Sequence, residues 1–168
     1  MAFDGTNFLL AWEYGATDPP NTQTTHVAAG RLEDHGYAID VNITTVSNLA
    51  GTEEGVDVAF DGSNYVVAWF NHPPSNLGTV RVARFSTAGA LLDPVGGQAT
   101  TTSAVATDNP RIARLGSETF VVWEQNDTLG INPGYRIAGT RISSASMALD
   151  TTTFAAGLWV SVIPPASS

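Results

Sequence analysis

Ala59-Phe60-Asp61-Gly62-Ser63-Asn64-Tyr65-Val66-Val67-Ala68-Trp69 decides the architecture, because the chain writes it three times. Ala2-Phe3-Asp4-Gly5-Thr6-Asn7-Phe8-Leu9-Leu10-Ala11-Trp12 matches it at an offset of 57 residues. Ala113-Arg114-Leu115-Gly116-Ser117-Glu118-Thr119-Phe120-Val121-Val122-Trp123 follows 54 residues later. A second block recurs downstream of each: Ala29-Gly30-Arg31-Leu32 with Ile39-Asp40, Val82-Ala83-Arg84-Phe85 with Leu92-Asp93, and Gly139-Thr140-Arg141-Ile142 with Leu149-Asp150. In every copy the arginine precedes the aspartate by nine residues. Two blocks with fixed internal spacing and a drifting distance between them are the mark of a structural repeat with variable loops.

Each repeat reads as four short strands. The first covers Val56 to Phe60, or Arg111 to Leu115 in the third copy. Asp61-Gly62-Ser63-Asn64 then supplies the turn residues of a tight hairpin. The second strand runs from Tyr65 to Phe70 and the third from Thr79 to Ser86, alternating Val80 and Val82 with Arg81. A turn at Thr87-Ala88-Gly89 leads to a fourth near Leu91 to Asp93 or beyond, and Thr151 to Phe154 is its counterpart in the third repeat. No stretch holds helical periodicity for more than two turns. Strands rich in β-branched and aromatic residues, with nine prolines and sixteen glycines between them, predict an all-β protein.

A four-stranded antiparallel unit of about 55 residues is the size of a β-propeller blade. The chain is therefore expected to be a single domain, 1–168, of three blades, at about 1–57, 58–111 and 112–157. The sequence also resembles a family of bacterial, mostly extracellular repeat proteins. Their blades carry aspartate-glycine, an apolar run ending in tryptophan, then isoleucine or valine, arginine and a final leucine-aspartate. The resemblance runs from Ala2 to Asp150 and implies blade packing but no activity. The third copy departs from it: Leu115-Gly116 replaces the phenylalanine-aspartate-glycine, and Ser146 stands where Gly36 and Gly89 stand.

Three blades do not close a ring, and open blade faces would leave apolar surface in water. The expected remedy is a homo-oligomer, a dimer completing six blades, or neighbouring repeats of a longer chain. Met1-Ala2 begins where Val56 to Ala59 lies in repeat two, so repeat one is short of its first strand. The alternating segment 158–163, Leu158-Trp159-Val160-Ser161-Val162-Ile163, is expected to serve as that closing strand, in the partner chain if the ring is a dimer.

Composition narrows the partners. Seven arginines, no lysine and sixteen acidic residues give a formal charge of −9, which disfavours nucleic acid and anionic membrane surfaces. The apolar runs are far shorter than the roughly 20 residues of a spanning helix. With no cysteine, thiolate catalysis, disulfides and zinc-thiolate sites are excluded. No pattern calls for a cofactor or metal. The aspartate-glycine turns invite calcium but offer too few carboxylates for a full shell, and turn chemistry accounts for them. The N-terminus lacks the basic and long apolar regions of a signal peptide, which leaves any export signal removed or outside this chain. The low-lysine, threonine-rich, acidic composition suits an extracellular or cell-surface bacterial protein.

Function is expected on the variable loops between second and third strands, Glu13 to Thr25, Asn71 to Gly78 and Glu124 to Gly134. The candidate ligand-binding residues there are Glu13, Tyr14, Phe70, Asn71, His72, Glu124, Asn126 and Tyr135. An aromatic ring beside carboxylate or amide acceptors suits a lectin-like site for glycan, or for a protein loop. Trp12, Trp69 and Trp123 end apolar runs and read as core between blades. His26, His35 and His72 read as solvated loop residues outside any metal or serine-hydrolase pattern. The expected function is a non-catalytic binding or assembly module. A structural repeat of a surface protein or fibre is the alternative, and a glycosidase-like hydrolase using Glu13 and Glu124 is the third.

Overall fold

The computed structural model describes residues 1–19, 22–74, 78–100, 107–116, 118–127, 134–142 and 154–156, with side chains at all of these except 107, 108, 126, 127, 134–136 and 154–156. The protein is all-β: these residues contain strands and turns and no helix. In chain order the strands are β1 (Ala2–Phe3), β2 (Asn7–Asp18), β3 (Thr22–Glu33), β4 (Thr44–Ser47), β5 (Thr52–Phe60), β6 (Asn64–His72), β7 (Thr79–Ser86), β8 (Gln98–Ala99), β9 (Thr107–Leu115), β10 (Glu118–Asp127), β11 (Gly134–Ile142) and β12 (Phe154–Ala156).

Each strand pairs antiparallel with the next, in three groups of four: unit 1 (β1 to β4), unit 2 (β5 to β8) and unit 3 (β9 to β12). Units 1 and 2 share one sheet through a single parallel bridge, Thr25 with Thr52, and unit 3 is a sheet of its own. Among the described residues these sheets close no barrel. The segment 158–163, Asp150, Ser146 and Trp159 lie outside the described residues.

Local chemistry repeats as the sequence does. The Oδ1 atom of Asp4 accepts the backbone N–H of Thr6 and Asn7 at 2.7 and 2.8 Å, and that of Asp61 accepts Ser63 and Asn64 at 2.8 and 2.7 Å. The glycine between sits at positive φ in both turns, +105° at Gly5 and +99° at Gly62. The nine-residue spacing is also explained. The Asp40 carboxylate accepts the Arg31 backbone N–H at 2.7 Å and its guanidinium at 2.7 Å, and Asp93 does the same for Arg84 at 2.7 and 3.1 Å. These pairs bind the third strand to the segment folding back over it.

That fold-back moves the fourth strand. Leu91 makes one isolated bridge to Phe85 instead of a strand, and the fourth strands are β4 and β8, beyond the aspartates. A carboxylate capping the third strand's backbone occupies the edge, so pairing resumes only after it. The first strand of unit 2 also starts earlier than the apolar pattern suggests, at Thr52. In unit 1 the hairpin pairs down to Asp18 with Thr22, so most of the expected loop Glu13 to Thr25 is strand.

The core lies between units. Tyr65, Val67, Trp69, Ala83 and Phe85, on what is termed here the front of unit 2, pack on Leu9, Val27, Ala29 and Val46 of unit 1. Val66, Ala68, Phe70, Val80 and Val82, on its back, pack on Val121, Trp123, Ala138 and Ile142 of unit 3. Unit 2 is covered on both sides, which is why β6 reads as a continuous apolar run instead of an alternating one.

Polar bonds cross the seams as well. Tyr65 Oη donates to the Asn7 carbonyl at 2.8 Å, the Arg31 guanidinium to the Thr87 carbonyl at 3.2 Å, and the Ile112 N–H to Asp57 at 2.9 Å.

Candidate functional site

The seam between units 1 and 2 opens at one end into a cleft of about 390 Å3. Three chain segments wall it: Asp18, Pro19, Thr22, Gln23 and Thr24 from the β2–β3 hairpin, Ala50, Gly51 and Thr52 from the β4–β5 connection, and His72, Pro73 and Pro74 after β6. The connection runs tight against the last of these. Gly51 has φ +106°, and a Cβ there would collide with the His72 carbonyl and the Cα of Pro73. Only glycine fits this close approach.

Behind the cleft is a buried polar chain. Thr25 Oγ1 donates to the Glu53 carbonyl at 2.8 Å and accepts the Glu53 N–H at 2.9 Å, which fixes the register of units 1 and 2. Glu53 is fully buried, and its Oε1 accepts from Ser47 Oγ and from Trp69 Nε1, the latter at 3.0 Å. Its Oε2 faces His26 Nδ1 at 3.6 Å, beyond hydrogen-bond distance. His26 Nε2 bonds Asp18 Oδ1 at 3.1 Å, Thr24 Oγ1 donates to Asp18 Oδ2 at 3.1 Å, and the Tyr14 ring stands edge-on to His26 at 5.8 Å. Burial pushes the Glu53 carboxyl above the ordinary glutamate value, against the opposing pull of Ser47, Trp69 and His26. Burial likewise lowers Arg81, partly offset by Glu53, while its guanidinium donates to the Gly96 and Gly97 carbonyls.

Asp18 is thus the carboxylate at the surface of this chain, with its side chain about one-third exposed, and Glu53 is its sealed inner end. A sealed carboxylate cannot touch a substrate. The cleft presents hydroxyls, an amide, an imidazole, the Asp18 carboxylate and the aliphatic edges of proline rings, with neither lysine nor arginine in its walls. Its walls can hydrogen-bond hydroxyl groups and carry no cationic side chain to hold an anion.

The expected site residues divide. His72 lines the cleft, and Phe70 lies beside it with ring centroids 5.9 Å apart. Phe70 itself is only 3% exposed and Asn71 6%, so neither is the exposed loop residue the sequence suggests. β6 continues to His72: Phe70 lies on its back, which unit 3 covers, while Asn71 lies on the front, where its amide donates to the Ala50 carbonyl at 3.5 Å. Tyr14 is half-buried behind the cleft, and Glu13 accepts the Val56 N–H at 3.2 Å across the seam. Glu124 is exposed in unit 3, where Asn126 and Tyr135 are cross-strand partners whose side chains lie outside the described set.

His26 is a second correction: at 4% exposure it is a core residue, because β3 begins at Thr22 and carries it into the seam. Asp18, His26 and Glu53 were missed as a group. Their one sequence signal is that Glu53 precedes the Val56 to Phe60 run by only three residues, close enough to belong to the same strand.

No family model matches this chain, and no curated protein or solved structure matches it.

Proposed function

We propose that the chain is a run of three β-propeller blades forming a non-catalytic binding module, whose ligand enters the cleft between the first and second. The blade reading is supported by three consecutive four-stranded antiparallel units that stack face to face with repeated seam contacts. The cleft itself carries the binding reading: the loops joining strand two to three and strand four to the next strand one, which propellers use for ligands, are the segments that wall it. Of the two ligand classes, neutral glycan is favoured over protein. The walls offer hydroxyls, an amide, the His72 imidazole and the Asp18 carboxylate as hydrogen-bonding groups at close quarters, and hold no arginine for a carboxylate or sulfate. A composition without lysine or cysteine and with a formal charge of −9 supports placement outside a bacterial cell.

A glycan array probed with the 168-residue chain tests the reading. Binding to neutral glycans is expected, lost in His72→Ala and Asp18→Asn and kept in a variant altered at the distant, exposed Leu115. Binding that survives both cleft changes, or a chain that binds no glycan but captures an unstructured peptide, would refute it. The second reading, a structural repeat in a fibre or surface array, is favoured by a different observation, the apolar outer faces of units 1 and 3.

A further inference from the structure

We propose that a second copy of this chain covers the open front of unit 1 with the open back of unit 3. The inference rests on reading the units as consecutive blades, and is independent of what the cleft binds. Each seam in the chain joins the front of one unit to the back of the unit before it. Leu9, Val27 and Ala29 form the back of unit 1 and meet Tyr65, Val67 and Trp69 on the front of unit 2. Val66, Ala68 and Val80 form the back of unit 2 and meet Val121 and Trp123 on the front of unit 3.

Two faces are left over, and they are of opposite kinds. By the repeat, Phe8, Leu10 and Trp12 are the counterparts of Tyr65, Val67 and Trp69, which are fully buried in unit 2. In unit 1 Leu10 is 36% exposed, Phe8 and Trp12 are half-buried, and Phe3 beside Phe8 is 45% exposed. On unit 3, Val122 and Ile137 are the counterparts of Ala68 and Val80, whose burial is complete or nearly so; here Val122 is half-buried and Ile137 is 42% exposed. An open front and an open back are the two halves of a contact this chain already makes twice. The occupant is therefore the complementary face of another copy, head to tail, not a like face across a two-fold axis.

Light scattering and sedimentation of the 168-residue chain test this, using Leu10→Glu on the front and Ile137→Arg on the back. Both positions are exposed, so far-ultraviolet circular dichroism should match wild type. The wild-type chain is expected to associate to at least twice 17.6 kDa, and each variant alone to stay at that single mass. Mixing the two variants should restore a species of two chains, because the intact back of Leu10→Glu meets the intact front of Ile137→Arg. A wild-type chain that remains single at all concentrations, association that survives either substitution alone, or variants that fail to combine would each overturn the proposal. Wild-type chains that stay single but still bind glycan through His72 would sink this inference and leave the binding reading standing.

Discussion

Glu53 gives the sharpest test of how units 1 and 2 are held together. Replacing it with alanine removes the acceptor for Trp69 Nε1 and Ser47 Oγ, both of which remain buried. An unsatisfied buried donor costs about 1 to 3 kcal/mol, and the cavity adds to this, while relief of a buried carboxylate subtracts. The net expectation is a loss of about 2 to 4 kcal/mol. For a chain of this size that is a fall in Tm on the order of 5 to 15 °C.

Glu53→Gln behaves differently. Its amide oxygen takes over the Oε1 role, and its NH2 group faces His26 Nδ1 across the 3.6 Å gap that no hydrogen bond now closes. It should match or exceed wild type near neutral pH. The folded-state value of Glu53 is raised, so its favourable contribution is complete below the unfolded value, near 4.5, and is lost as pH rises through the folded value. Wild type should therefore gain on Glu53→Gln as pH falls from neutral towards that value. Urea unfolding followed by tryptophan fluorescence at several pH values measures both effects. An alanine variant within about 1 kcal/mol of wild type, or a wild-type-to-glutamine gap that is flat or reversed with pH, would refute the reasoning.

Gly51→Ala should destabilise by about 2 kcal/mol or more in thermal melts, since it places a Cβ at φ +106° against the His72 carbonyl. Leu115, 77% exposed, stands where Asp4 and Asp61 accept two backbone N–H groups, so Leu115→Asp should raise stability by about 0.5 to 1 kcal/mol. Asp93→Ala strips the partner from the largely buried Arg84 and should cost about 2 to 4 kcal/mol by urea unfolding. Glu118→Ala, which breaks a pair to Arg141 whose side chains are 49% and 43% exposed, should cost under about 0.5 kcal/mol. Asp40 titrates below the ordinary aspartate value, because it bonds the Arg31 guanidinium and backbone. Its contribution is present above that ordinary value and lost as pH falls through the lowered one, so Asp40→Asn should flatten the acid limb of the stability profile.

What the sequence made legible follows from where information is local. The aspartate-glycine turns, the paired β2–β3 and β6–β7 strands and the arginine-aspartate link each join residues of a single repeat, and repetition marked them as structural. The fourth strand falls beyond Leu91 to Asp93, where pairing stops at the Leu91–Phe85 bridge and the Leu92 N–H to Arg84 carbonyl bond, because the Asp93 side chain takes the Arg84 N–H. The cleft was only half legible. Its walls come from loops that the repeat identified as variable, but the depth of each hairpin depends on the neighbouring unit. Beside unit 2, Asp18 and His26 become strand; on β6, Phe70 is buried against unit 3 and Asn71 against the Ala50 carbonyl.

Glu53 shows the same dependence at the level of one atom. Its carboxylate is tolerable only because Trp69 and Ser47 donate to it from two different strands, while Thr25 holds its backbone from a third. In unit 3 Thr107 holds the corresponding position, and the buried Trp123 Nε1 has no hydrogen bond among the described residues. The repeat therefore preserves the tryptophan and varies its partner, so the chemistry of each seam is set by a residue that the repeat itself does not fix. That places the candidate site where the repeat is broken, between a scaffold specified three times and a carboxylate specified once.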